Sequence, residues 1–370
     1  MKPLRTLTRV SALLAVLLAS ISVTSATALA AGGPDLGVVA IKQPRTADFD
    51  RMGTAGLDVY RMNLYWAVVQ PYSADSFDWN GTPGHRYDDM ICNAVRNGIE
   101  VLPTVFGSPG WANGGKSPEK PPTVQHRDEF GDFIGAAAAR YGPGGSIWTE
   151  PDSPCSGLTP LPIAKWQVWN EPNLEYFWSP KPNAAGYKAL LVAAHRALEP
   201  SGGQVMLAGL SPRPQPMFGI GPTEFLRDLY RAGARPFFDL MSAHPYDLKP
   251  SGVANQIRAL RKVMRDYGDR GKGLWVTEFG WATGGPKSTL TVKPGQQASY
   301  LADTYRIARK ETGLGIEGLI WYALRDVPFR EASPPGRRDG WIYHSGLFTS
   351  KGFAKPAWKT LAKLAGGSPF

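Results

Sequence analysis

Cysteine is nearly missing from this chain of 370 residues; only Cys92 and Cys155 are present. Histidine is almost as scarce. Its five copies are dispersed, and no Cys/His spacing resembles a metal ligand set, so neither a metal nor a cofactor is expected. Long apolar runs are lacking after the first thirty residues, so no later segment is expected to cross a bilayer, which takes about 20 consecutive apolar residues. Clusters of basic residues are lacking too. The formal charge is +10, but the lysines and arginines are scattered. That argues against a nucleic-acid partner, whose footprint is a concentrated basic face, and suits a basic protein drawn loosely to anionic polymers.

The first thirty residues have their own character. Lys2, Arg5 and Arg9 precede an apolar run from Val10 to Val23, and Ala28-Leu29-Ala30 follows. A basic start, a short apolar stretch and an A-x-A ending read as a secretory signal peptide over residues 1–30, cut after Ala30. A retained membrane anchor is the alternative. Without the three basic residues of this segment the charge is +7. Export to an oxidising compartment would favour a disulfide between Cys92 and Cys155. Closing so long a loop would contribute about 4 kcal/mol at best. Two free buried thiols are the alternative.

Residues 31–370 repeat one rhythm: a short apolar run, a loop, an amphipathic helix, then a glycine. Strands are expected at Leu36–Lys42, Leu57–Asn63, Glu100–Phe106, Lys165–Asn170, Val205–Leu210, Phe238–His244, Leu274–Glu278 and Gly318–Ala323. The clearest helices are Tyr87–Arg96, Val124–Tyr141, Ala185–Leu198, Val253–Tyr267 and Gln296–Glu311. In Val253–Tyr267 the apolar residues Val253, Ile257, Leu260, Val263 and Met264 recur at helical spacing. Gly56, Gly98 and Gly313 precede strands, where a helix end favours the left-handed backbone that glycine accepts. Strands alternating with helices pair in parallel, and eight equal beats in one chain of this length imply a single-domain (β/α)8 TIM barrel.

Such a barrel carries its chemistry at the C-terminal ends of its strands. There the sequence places Arg61, Asn170 with Glu171, His244 with Tyr246, Glu278, and Trp321 with Tyr322. A buried strand gains nothing by ending on a carboxylate unless the charge is paired or used. The fourth and seventh strands lie on opposite parts of an eight-strand ring, so Glu171 and Glu278 can face each other across a pocket. Two facing carboxylates are what glycosidic bond cleavage requires: one donates a proton to the leaving oxygen, and the other attacks the anomeric carbon or activates water. Trp66, Trp111 and Trp281 fall just beyond strands, where an indole face could pack on a sugar. Trp166, Trp169 and Trp275 read as core.

WNEPN at residues 169–173 and TEFGW at 277–281 resemble the signature of the retaining β-glycoside hydrolases of clan A. SAHPYD, VTEFGWAT and the tail GLF…KPAWKTL are similar to glycoside hydrolase family 39 and its bacterial exopolysaccharide-cleaving relatives. The resemblance implies an oligosaccharide or polysaccharide substrate, Glu171 as general acid then base, and Glu278 as the nucleophile of a covalent glycosyl-enzyme. It also implies that Asn170 bonds the sugar 2-hydroxyl, that Arg61 and Tyr246 hold Glu278 ionised, that His244 lines the pocket, and that Trp321 is a sugar platform. The direction of Tyr322 is left open. Transfer of the glycosyl group to a second sugar is a rival outcome, and a catalytically inactive carbohydrate-binding barrel another. In the loop after the eighth strand, Arg330, Arg337 and Arg338 could meet a carboxylate-bearing sugar, or simply be solvated.

Overall fold

The structure, a computed structural model, describes residues 33–212, 218–328 and 340–370. The expected signal segment 1–30 and Arg330, Arg337 and Arg338 lie outside the described residues.

Among the described residues, eight strands alternate with eight main helices. The strands are β1 (Asp35–Val39), β2 (Val59–Tyr65), β3 (Glu100–Phe106), β4 (Lys165–Val168), β5 (Gln204–Leu207), β6 (Met241–Ala243), β7 (Leu274–Phe279) and β8 (Ile316–Tyr322). The helices are α1 (Thr46–Thr54), α2 (Tyr87–Arg96), α3 (Arg127–Tyr141), α4 (Ala184–Leu198), α5 (Pro222–Arg231), α6 (Pro250–Asp266), α7 (Pro294–Lys310) and α8 (Pro356–Leu364). The sheet order is β5-β4-β3-β2-β1-β8-β7-β6, with parallel pairing throughout. Isolated parallel bridges Met206–Leu240 and Leu210–Ala243 bring β5 to β6. The Leu207 amide donates to the Leu240 carbonyl at 2.8 Å across that seam. The molecule is the single-domain TIM barrel expected.

The helices form where the apolar spacing places them. In α6, Val253, Ile257, Leu260, Val263 and Met264 are all buried. Asn183 caps α4 by accepting from the Gly186 amide at 2.9 Å. Gly56 and Gly98 take φ of +72° and +69°, as their positions require. The third such role falls to Gly315 (φ +57°) rather than Gly313, because a 3-10 turn at Thr312–Leu314 carries the chain two residues further. Cys92 on α2 and Cys155 in the loop before β4 are joined in a disulfide.

Two apolar groups hold the barrel. A large shell lies between strands and helices. A smaller one, comprising Val39, Val59, Leu102, Met206, Leu240, Trp275 and Ile320, fills the bore. Alternation along a strand returns every second side chain to the same face. Two residues beyond Val59, Leu102, Leu240 and Trp275 come Arg61, Thr104, Ser242 and Thr277, all buried. The bore therefore changes from apolar to polar on the way to the C-terminal rim.

Candidate active site

Glu171 stands where β4 breaks. The strand ends at Val168 rather than continuing to Asn170, because Trp169 takes φ of +71° and Glu171 φ of +41°. Left-handed backbone on bulky residues costs on the order of 1–3 kcal/mol each and persists only where surroundings impose it. Those surroundings are visible. The Trp169 amide donates to the Val105 carbonyl at 2.8 Å, its fully buried indole donates to the Phe177 carbonyl at 3.1 Å, and Tyr187 donates its hydroxyl to the Val168 carbonyl at 2.7 Å. With Trp169 turned into the core, Asn170 and Glu171 are left facing the rim. Asn173 secures the turn by donating to the Ser211 and Ile220 carbonyls and accepting from the Ser211 amide.

Glu278 is aimed by a bulge. Val276 pairs with Leu319 and Phe279 with Trp321, so three residues of β7 span the length of two on β8. An extra residue in one strand lets consecutive side chains share a face. Thr277 and Glu278 both face the bore as a result: Thr277 Oγ1 accepts from Gln167 at 3.0 Å, and Glu278 Oε1 accepts from Arg61 Nη1 at 2.6 Å.

Each oxygen of Glu278 has a donor, since Tyr246 donates its hydroxyl to Oε2 at 2.8 Å. Burial alone would raise the Glu278 pKa. The adjacent His244 and Arg61, with the hydrogen bonds from Tyr246 and Arg61, outweigh it and hold the carboxyl below the usual carboxylate range. Burial, reinforced by the Glu278 charge, pushes the Tyr246 phenol well above its ordinary value, so it stays a proton donor. Arg61, 1% exposed, also donates from Nη2 to Asn170 Oδ1 at 3.1 Å. Arginine can only donate, so the Asn170 amide nitrogen is turned away from it.

His244 lies between the two acids. Its Nδ1 is 2.8 Å from Glu171 Oε1 and 3.7 Å from Glu278 Oε2. Ligating atoms of Glu171, His244 and Glu278 all fall within 4.8 Å of one another. The carboxylates retain 13% and 12% side-chain exposure, enough to meet a ligand, whereas His244 has none. The same three residues have the donor types of a metal site, yet the chemistry of the set opposes one. Arg61 already places a buried positive charge on Glu278, and a cation there would face it across one carboxylate.

Arg61, Asn170, Glu171, His244, Tyr246 and Glu278 thus come together. Trp321, Trp281 and Trp66 do not. All three are fully buried, with no ring face open to a sugar. Trp321 donates to the Ser345 carbonyl at 3.0 Å and packs edge-on against Phe279, because the strand alternation turns it to the helix side. Trp281 donates to the Asp247 carbonyl at 2.8 Å and braces the loop that carries Tyr246. Trp66 donates to Gln70 Oε1 at 2.7 Å and packs on Phe133. Trp111 alone of the four keeps open surface, with its Nε1 held by the Gln70 carbonyl at 2.9 Å. Tyr322, half-buried and edge-on to Tyr246 with ring centroids 6.4 Å apart, takes the inward position at the end of β8. Trp341, in the turn Gly340–His344, meets Tyr246 at 5.3 Å and is also half-buried. Nothing in its local sequence marks it, because its partner Tyr246 lies 95 residues earlier in the chain.

No family model matches the sequence, and no curated protein matches it. Solved structures do. The chain is similar to a glucosidase from Croceicoccus marinus (TM-score 0.63, 14% identity, covering 90% of this chain and 67% of that one). It is also similar to a monomeric beta-xylosidase from Caulobacter crescentus CB15 (TM-score 0.58, 19% identity, 90% and 69% covered). A third similar structure is a GH5_18 protein from Bifidobacterium longum in complex with Manb1-4GlcNAc (TM-score 0.62, 15% identity, 90% and 78% covered). At these identities the likeness establishes the barrel fold. Among the described residues no helix is long and apolar enough to cross a membrane.

Proposed function

We propose that this protein is a retaining β-glycoside hydrolase of the clan A type, close to family 39, acting on an oligosaccharide or polysaccharide. One observation carries the reading: an oxygen of Glu171 and an oxygen of Glu278 lie within 4.8 Å of each other, both partly exposed. Carboxyl groups about 5–5.5 Å apart suit a nucleophile working with an acid/base. Roughly 6.5–9.5 Å would be needed to seat a water between them.

In the first step Glu278 attacks the anomeric carbon while Glu171 gives its proton to the departing glycosidic oxygen. The bond to the leaving group breaks as the ester to Glu278 forms. In the second step Glu171 takes a proton from water, the water oxygen bonds to the anomeric carbon, and the ester opens to restore the Glu278 carboxylate. Arg61 and Tyr246 keep Glu278 ionised for attack. Asn170, with Oδ1 held by Arg61, can offer its amide nitrogen to the sugar 2-hydroxyl. Tyr322 and Trp341, rather than Trp321, supply aromatic surface around Tyr246, the residue that donates to Glu278. The protein acts after export, with residues 1–30 removed as a signal peptide.

A screen of aryl β-glycosides and polysaccharides with product masses tests this. The wild type is expected to release sugar from at least one, and Glu278→Gln to lose about 10⁴-fold or more in kcat. Activity on no glycan, or equal activity in the variant, refutes the reading.

A further inference from the structure

Beneath the carboxylates lies a fully buried residue that the mechanism above does not use. Gln167, on β4, is 0% exposed, and all four of its hydrogen-bonding capacities are filled. Its Oε1 accepts from Arg61 Nε at 2.7 Å and from the Thr104 hydroxyl at 2.8 Å. Its Nε2 donates to Ser242 Oγ at 2.7 Å and to Thr277 Oγ1 at 3.0 Å. The amide cannot flip. Arg61 Nε can only donate, so it demands the oxygen. Ser242 spends its proton on the Leu207 carbonyl, so it demands the nitrogen.

We infer that Gln167 is the positioning residue that aims Arg61 at Glu278, through a polar layer spanning β2, β3, β4, β6 and β7 across the bore. The inference rests on the proposed role of Glu278 only for its consequence in catalysis. Arg61 is a long side chain, and its fork meets Glu278 on one arm and Asn170 on another. Holding Nε fixes the plane of the guanidinium and hence both arms. The amide also keeps the layer neutral. A carboxylate at 167 would divide the single guanidinium charge between two acids. It would also leave Ser242 without the donor it now accepts from. Thr277, tied to the same amide, precedes Glu278 in the bulge, so the layer grips the nucleophile's strand as well as its cation. A solely structural role would predict lost stability without any change at Glu278.

The test is carboxyl-13C NMR titration of Glu278, assigned with Glu278→Gln, in wild type, Gln167→Leu and Gln167→Glu. The groups facing Glu278 are Arg61, Tyr65, Glu171, His244 and Tyr246, and all are unchanged in these variants. The Glu278 pKa is expected to rise by about one unit in both variants. Ile320→Ala in the apolar bore, on a strand outside the polar layer, should lower stability without moving it. On whichever glycan the wild type cleaves, the acidic limb of kcat/KM should shift upward with the NMR value, and kcat should fall about 100-fold with KM little changed. An unmoved Glu278 titration in Gln167→Leu, which adds no charge of its own, or in the near-isosteric Gln167→Glu overturns the inference whether or not the protein proves to be a glycosidase. A wild type inactive on every glycan refutes the functional reading alone.

Discussion

His244 owes its place between the two acids to the side chain that Gly209 lacks. A Cβ at Gly209 would lie 2.0 Å from His244 Nε2 and 2.2 Å from Cδ2, so the ring could not stay. Gly209→Ala is therefore expected to displace the imidazole, break its 2.8 Å contact with Glu171, and lower kcat/KM about 100-fold. If the effect runs through the ring, adding Gly209→Ala to His244→Ala should cost little more than His244→Ala alone. Additive losses would refute the link. Glu278 sets a second expectation at this scale. Because its pKa is held down in the folded protein, it stays ionised as pH falls. The acidic limb of activity should lie below the ordinary carboxylate value of about 4.3.

Among the elements, the ends of β4 and β7 show what sequence conveys and what it withholds. Both acids were legible because a carboxylate closing an apolar strand needs a use. The helices were legible from their apolar period. The bulge at Thr277–Glu278 was not, since it exists only relative to β8, whose residues lie some forty positions away. For the same reason the Trp321–Tyr322 pair misled. Alternation shows that the two point to opposite faces, but the barrel decides which face is inward, and Tyr322 faces in. Gln167 showed only a polar residue in an apolar strand, because its partners are 63 to 110 residues distant. Trp341 was hidden because its partner Tyr246 lies 95 residues earlier in the chain. Its removal tests its part in binding: Trp341→Ala should raise KM about tenfold with kcat nearly unchanged, as expected for lost contact area beside Tyr246. A fall in kcat at constant KM would show that Trp341 instead positions the reacting groups.

The whole molecule places its two charged ends under different demands. At the rim, the negative charge of Glu278 is paired with Arg61. At the opposite end of the bore, Asp35 at the start of β1 shares its surroundings with Asp58, Glu100 and Glu317, with Lys165 as a compensating charge. Burial first, then the acids with Asp58 foremost, raise the Asp35 pKa to about 6 against the opposing pull of Lys165. A pKa raised above the unfolded value of about 3.9 gives stability that is complete below pH 3.9 and is lost as pH climbs through 6. At pH 7.5 the ionised Asp35 is thus a net cost. Asp35→Asn should stabilise the protein there by about 1 kcal/mol, after discounting for solvent screening of a partly open site. The gain should vanish in melts near pH 4. A gain that persisted at pH 4 would locate the effect elsewhere.

The same closed cylinder that crowds those acids also delivers an oxygen of Glu171 and an oxygen of Glu278 to within 4.8 Å of each other. Proton NMR of the first sugar released from a β-glycoside tests that consequence most directly, read before the anomers equilibrate. Double displacement through Glu278 predicts that the β-anomer appears first, with the α-anomer growing in later by mutarotation. An α-anomer formed first would mean a single displacement by water, and would contradict the assignment of Glu278 as nucleophile.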